Sequence, residues 1–140
     1  MKPPFQILLV EDNEGDVEIT RRALREAPCT LSVASDGVEA LDFLHKKGGF
    51  AAAPTPHLIL LDLNMPRMDG KKFLEAVKQD ATLKAISVII LTSSQSPADI
   101  RECYERHASY YIVKPFDGRE FADTVRQVVS FWGGTGRLPM

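Results

Sequence analysis

The sequence predicts an α/β fold, a doubly wound five-stranded parallel sheet with five helices distributed over both faces. Three observations point there. Five short apolar runs are spaced along the 140 residues, most of them continuous rather than alternating, as in strands covered on both sides. Stretches with apolar residues at helical spacing separate them, and strict alternation of the two kinds implies right-handed crossovers between parallel strands.

The first strand is Phe5 to Val10, and Val17, Leu24 and Ala27 mark the helix after it. Leu31 to Ala34 is the second strand, followed by a helix carrying Val38, Leu41 and Leu44. Lys46 to Pro56, rich in Gly, Ala and Pro, reads as the loop into the third strand, Leu58 to Leu61. Phe73 and Val77 mark the third helix, and Ile86 to Leu91 the fourth strand. Ser96-Pro97-Ala98-Asp99 has an N-cap serine, a proline at the first helical position and an acid three residues past the cap, so a helix runs from there to about Arg106. Tyr111 to Val113 is the last strand, and Phe121, Val125, Val128 and Trp132 lie on the last helix.

At this length, with 44% hydrophobic residues, the chain fits a single domain with a substantial core. A net charge of -2 argues against a nucleic-acid surface, so protein partners are expected. Cys29 and Cys103 lack any metal-site or disulfide spacing. With no secretory signal and no apolar run of membrane-spanning length, the expected setting is the cytoplasm, away from the membrane.

In such a fold, ligands bind outside the carboxyl ends of the strands. Glu11 and Asp12 follow the first strand, Asp62 the third, Thr92 and Ser93 the fourth, Lys114 and Pro115 the fifth. Acids converging within about 4 Å repel by roughly 4 kcal/mol per pair at an effective dielectric of 20, so either a cation binds or a carboxyl stays protonated. An all-oxygen set with room for waters suits Mg²⁺. A divalent ion, an ammonium and a hydroxyl around one carboxylate form a phosphoryl site in which Asp62 attacks, giving an aspartyl phosphate. Taken singly, Glu11-Asp12 could cap a helix, Lys114 could be a solvated lysine and Thr92 a turn residue. Their joint occurrence after four strands is what carries the functional reading.

Competing chemistries find no support in the motifs. No glycine-rich phosphate loop follows a strand, no Gly-x-Ser-x-Gly elbow is present, and His45, His57 and His107 lie on different elements.

Val10-Glu11-Asp12-Asn13, Asp62 through Gly70, Leu91-Thr92-Ser93 and Tyr111-Ile112-Val113-Lys114-Pro115-Phe116 together resemble the receiver domains of two-component response regulators, the CheY-like family. The resemblance implies the flavodoxin-like strand order 2-1-3-4-5. It implies one receiver domain over 1–140, with a core of about 5–131, a short tail at 132–140 and no effector domain. Asp62 would be the phosphoacceptor, taking the group from a phosphohistidine of a sensor histidine kinase. Mg²⁺, or Mn²⁺ in its place, would be ligated by Asp12, Asp62 and the Asn64 backbone carbonyl, with Glu11 acting through water. Lys114 and Thr92 would bind the phosphoryl group, and Tyr111 would turn from an exposed to a buried position as Thr92 moves. The Lys114–Pro115 bond would be cis. Ser87 stands where many receivers have proline, and His107 where a helix-ending glycine is usual.

Leu60 through Pro66, Asp99 through Tyr104 and the tail from Phe131 to Pro139 look like the stand-alone receivers associated with phytochrome-type histidine kinases. That implies a light-sensing upstream kinase, a downstream protein of unknown identity, and a homodimer through the fourth-helix, fifth-strand and fifth-helix face or the C-terminal tail. The expected function is a non-enzymatic phosphorylation switch, with only self-catalysed acceptance and slow autodephosphorylation. A Mg²⁺-dependent phosphohydrolase acting through an aspartyl phosphate is one alternative, although position 64 is Asn rather than a second acid. A phosphorylation-independent scaffold is the other.

Overall fold

A computed structural model describes residues 4–135. Five parallel strands form one sheet: β1 (Phe5–Val10), β2 (Cys29–Ala34), β3 (Leu58–Leu61), β4 (Ser87–Thr92) and β5 (Tyr110–Val113), in the order β2-β1-β3-β4-β5. The helices are α1 (Glu14–Ala23), α2 (Gly37–Leu44), α3 (Gly70–Gln79), α4 (Pro97–Glu105) and α5 (Gly118–Ser130). Fold class and strand order both agree with expectation.

The continuous apolar runs are explained by burial on both faces. Every residue of β3 is buried. Ile59 and Leu61, with Leu8, Val10, Val88 and Ile90, pack against Phe43 of α2, Phe73, Leu74 and Val77 of α3 and Cys103 of α4. Leu58 and Leu60, with Ile7, Leu9, Ile89 and Leu91, pack against Ala23 at the end of α1 and Phe121, Val125 and Val129 of α5. Cys103 and Cys29 therefore lie on opposite sides of the sheet.

Side chains start every helix. Asn13, Asp36, Asp69, Ser96 and Asp117 each accept a hydrogen bond from a backbone N–H in the first turn of the helix that follows. At Gly70, a Cβ would sit 2.5 Å from the Asp62 carbonyl oxygen and 2.7 Å from the Leu63 Cα. Only glycine lets α3 begin this close to the end of β3, and the Gly70 N–H donates to the Leu63 carbonyl at 2.9 Å.

Several boundaries differ from the sequence reading. Helix α1 stops at Ala23; Leu24 caps it, and Ala27 lies beyond it in the turn before Pro28, still packed on the core. Trp132 belongs to a π-helical turn, Phe131–Thr135, rather than to α5. Thr92 is the last residue of β4 rather than the first after it. The loop before β3 contains a 3₁₀ turn, Gly48–Phe50, anchored by an edge-on contact of Phe50 with Phe43. Most of the tail, 136–140, lies outside the described residues, and with it the expectation of a tail-mediated dimer.

The end of α4 bears out the expectation for His107. Its φ is +70°, the His107 N–H donates to the Tyr104 carbonyl and the Ala108 N–H to the Cys103 carbonyl, each at 3.0 Å. These are the two bonds of a Schellman motif with a non-glycine residue at the left-handed position. His107→Gly relieves that backbone and is expected to raise stability by about 1 kcal/mol, measured as a higher urea midpoint with unchanged slope.

Candidate functional site

Strands β1 and β3 are neighbours at the centre of the sheet, so residues following them meet. The Asp62 N–H donates to the Val10 carbonyl at 3.0 Å, and the Glu11 N–H to the Ala34 carbonyl at 2.9 Å. One carboxylate oxygen from each of Glu11, Asp12 and Asp62 lies within 4.8 Å of the others. Glu11 and Asp62 are buried and Asp12 is exposed, giving the cluster one side open to solvent. Asp62 Oδ1 accepts from the N–H of Leu63 at 2.9 Å, and Glu11 Oε2 from the N–H of Asn13 at 3.2 Å.

Lys114 arrives from the far side. Three strand spacings of about 4.8 Å separate β5 from β1, roughly 14 Å in all, which only two long side chains reaching toward each other can span. The buried Lys114 Nζ donates to Glu11 Oε1 at 2.5 Å and to Asp16 Oδ2 at 2.8 Å, and lies 3.8 Å from Asp62 Oδ1. Burial opposes its charge, but the bonds to Asp16 and Glu11 outweigh that and hold the ammonium above its ordinary pKa. Glu11 goes the other way from a normal carboxyl: burial dominates, Asp62 adds to it, and the Lys114 bond offsets only part, leaving its pKa at about 7.

These observations test the fit of a divalent cation. Two buried carboxylates and an exposed third converge with only oxygen donors, and one of them is poorly stabilised as an anion by the protein alone. The set suits a hard divalent ion. Asn64, whose carbonyl was expected to help, lies exposed two residues past Asp62.

Thr92 is fully buried at the end of β4, and its Oγ1 accepts a long bond, 3.4 Å, from the Ser94 N–H. From there, hydrogen bonds lead outward to α4. The Tyr111 hydroxyl donates to the Ser94 carbonyl at 2.9 Å, and Ser94 Oγ donates to Asp99 at 2.5 Å. Lys71 of α3 pairs with Asp99 at 2.5 Å and with Glu102. The bond to Asp99 and then that to Glu102 raise the lysine's pKa. Tyr110 points to solvent, so Tyr111 is the aromatic that meets the loop after β4.

Tyr111 is half-buried against the core, its hydroxyl donating to the Ser94 carbonyl inside the loop. One expectation is corrected. The bond before Pro115 is not cis; no peptide bond among the described residues is. Trans is intrinsically favoured by about 0.5–1 kcal/mol even before proline, and Lys114 reaches the acids with it.

The sequence reading missed Asp16 as a partner of Lys114. It also missed the fork of Arg67, whose Nε and Nη2 donate to Asp36 Oδ2 and Oδ1 at 2.8 and 3.0 Å. Arg67 sits in the loop after Asp62 with φ of +64°, and Asp36 also caps α2, so this pair staples that loop to α2. The Arg67 bond holds the Asp36 carboxyl below its usual pKa. The histidines stay apart: His45 pairs with Asp80, His57 stacks on Phe5, and His107 ends α4.

Comparison with known proteins agrees with this geometry. Residues 7–126 match the response regulator receiver domain family. The chain is 37% identical over 139 residues to response regulator Rcp1 of Synechocystis sp., covering 98% of this chain and 95% of that protein. It is 37% identical over 140 residues to the probable methanogenesis regulatory protein FilR2 of Methanothrix harundinacea, covering 97% and 88%. The structure of a phosphorylated cyanobacterial phytochrome response regulator, RcpA, superposes with a TM-score of 0.94 at 37% identity, covering 98% of this chain and 99% of that one. The Mn²⁺-bound form of Rcp1 superposes with a TM-score of 0.92 at 37% identity, covering 98% and 100%.

The raised Glu11 pKa fixes a pH dependence. Between about 4.5 and 7 the folded protein holds a proton that the unfolded chain has released, so stability falls as pH rises through that window and levels off above it. In urea unfolding with chelator present, wild type is expected to lose on the order of 1–3 kcal/mol between pH 5 and pH 8 relative to Glu11→Gln, which lacks the titrating group. Parallel pH curves for the two proteins contradict the assignment.

Proposed function

The chain belongs to the response regulator receiver domain family, and from that premise we propose that Asp62 is its phosphoacceptor, charged by a sensor histidine kinase in a divalent-cation-dependent reaction. The observation that carries this reading is the meeting of Glu11, Asp12 and Asp62 with the buried Lys114 ammonium 3.8 Å from Asp62.

Receiver domains take their phosphoryl groups from sensor histidine kinases and bind divalent metal. For this chain, Asp62 forms an oxygen–phosphorus bond as the phosphorus–nitrogen bond of the phosphohistidine breaks, and the imidazole leaves with a proton. Asp12, Asp62 and the Asn64 carbonyl would hold Mg²⁺, with Glu11 through water; the ion would neutralise phosphoryl oxygens as charge builds. Lys114 contributes a fixed positive charge to the same oxygens, and Thr92 a hydroxyl donor.

The readout lies on the surface of α4 and β5. A dianion at Asp62 draws on Thr92, and Thr92, Ser94, Tyr111, Asp99 and Lys71 are linked from there to α3 and α4. Modification biases which arrangement of that loop is favoured, and with it what docks on this face. Position 64 is Asn, so the two-acid pattern flanking one residue that a phosphohydrolase of this kind would use is incomplete, which favours a switch over an enzyme. Similarity to Rcp1 and to the phytochrome response regulator RcpA favours a phytochrome-type kinase as partner; a cytoplasmic setting and a homodimer through the α4–β5–α5 face complete the proposal. No helix among the described residues is long and apolar enough to cross a membrane.

Incubation with acetyl phosphate and Mg²⁺ is expected to add one base-labile phosphoryl group per chain, seen as a single mass increment by intact-protein mass spectrometry and absent from Asp62→Asn. An unlabelled wild type refutes the assignment and leaves the scaffold reading. Continuous release of phosphate from varied esters favours the phosphohydrolase.

A further inference from the structure

Resting on the reading of Asp62 as phosphoacceptor, we propose that Asp16 is a positioning residue that holds Lys114 in competition with the incoming phosphoryl group and so restrains phosphorylation of Asp62. Lys114 has three acids around it: Glu11 at 2.5 Å, Asp16 at 2.8 Å and Asp62 at 3.8 Å. Only the first two are within hydrogen-bonding distance, and both draw the ammonium away from Asp62.

Asp16 is well placed for this task. It lies in the first turn of α1, where the Asp16 N–H donates to the capping Asn13 Oδ1 at 2.9 Å and the Asp16 carbonyl accepts from Thr20 Oγ1 at 2.9 Å. Backbone bonds thus fix where the residue stands, while its carboxylate is hydrogen-bonded to Lys114 alone among the described residues. Glu11 belongs to the cation cluster, and a cation there shares its charge. Asp16 stands outside that cluster, so its hold on Lys114 persists when a cation is bound.

A phosphoryl group on Asp62 then has to recruit an ammonium that already has a charge-assisted partner, with a further carboxylate close by. Removing the Asp16 charge takes away one of the two acids hydrogen-bonded to the lysine, so the ammonium shifts more readily toward a phosphoryl group on Asp62. Asp16→Asn keeps the backbone bonds of the helix start.

The test is the rate of labelling of Asp62 by acetyl phosphate at saturating Mg²⁺. Asp16→Asn is expected to label about tenfold faster than wild type, the loss of one charge-assisted hydrogen bond partly replaced by water. In a Lys114→Gln background the same substitution is expected to change the rate less than twofold, since the restrained group is gone. A second readout needs no cation or phosphodonor: in chelator, reductive methylation of Lys114 relative to exposed Lys72 is expected to be several-fold faster in Asp16→Asn. Equal or slower labelling of Asp16→Asn, an equal gain without Lys114, or unchanged Lys114 methylation overturns the proposal. If wild type itself takes no label, the phosphoacceptor reading fails instead, and methylation still reports whether Asp16 restrains the lysine.

Discussion

Three carboxylates at the carboxyl edge of a sheet, two of them buried, repel one another, and much of the site is organised around that repulsion. Glu11 and Asp62 are brought together because β1 and β3 are neighbours, and they are buried because helices cover both faces of the sheet. The protein supplies one buried ammonium in return, Lys114, carried across from β5. It offsets only part of the cost: burial first, and Asp62 in addition, leave Glu11 with a pKa of about 7. A site in that condition suits a divalent cation, and the reaction proposed for Asp62 changes its charge.

The proposed route from chemistry to surface starts at Thr92, buried at the end of β4 beside β3, whose near neighbour Ser94 is tied to Tyr111 and to Asp99. Asp99 and Glu102 are tied through Lys71 to α3, so the start of α4 is held by ion pairs rather than by apolar packing alone. The proposed switch requires a second arrangement of these polar contacts. Phe73, Leu74 and Val77 of α3 share one apolar core with Cys103 of α4.

The sheet was legible in the sequence because burial on both faces leaves continuous apolar runs, and the acids and Lys114 were legible because each directly follows such a run. Lateral strand order was not, since an apolar run does not encode its neighbour; it came from the resemblance to receivers. Asp16 and Arg67 escaped because their partners lie 98 and 31 residues away, and no local period marks a long-range ion pair. Ala27 and Trp132 kept the apolar character of a helix face beyond the helix itself, because packing on the core continues past the last helical hydrogen bond. Where local backbone chemistry decides, as at Ser96, Gly70 and His107, residue type and structure agree.

The claim that the acid cluster is built for a divalent ion is tested most directly by a crystal structure grown with Mn²⁺ and phased on its anomalous signal. A single peak bound by the carboxylates of Asp12 and Asp62 and the carbonyl of Asn64, at about 2.0–2.2 Å with waters completing six positions, is the expected result. A cluster that takes up no ion at millimolar Mn²⁺, with Lys114 still spanning Glu11 and Asp16, would contradict the account.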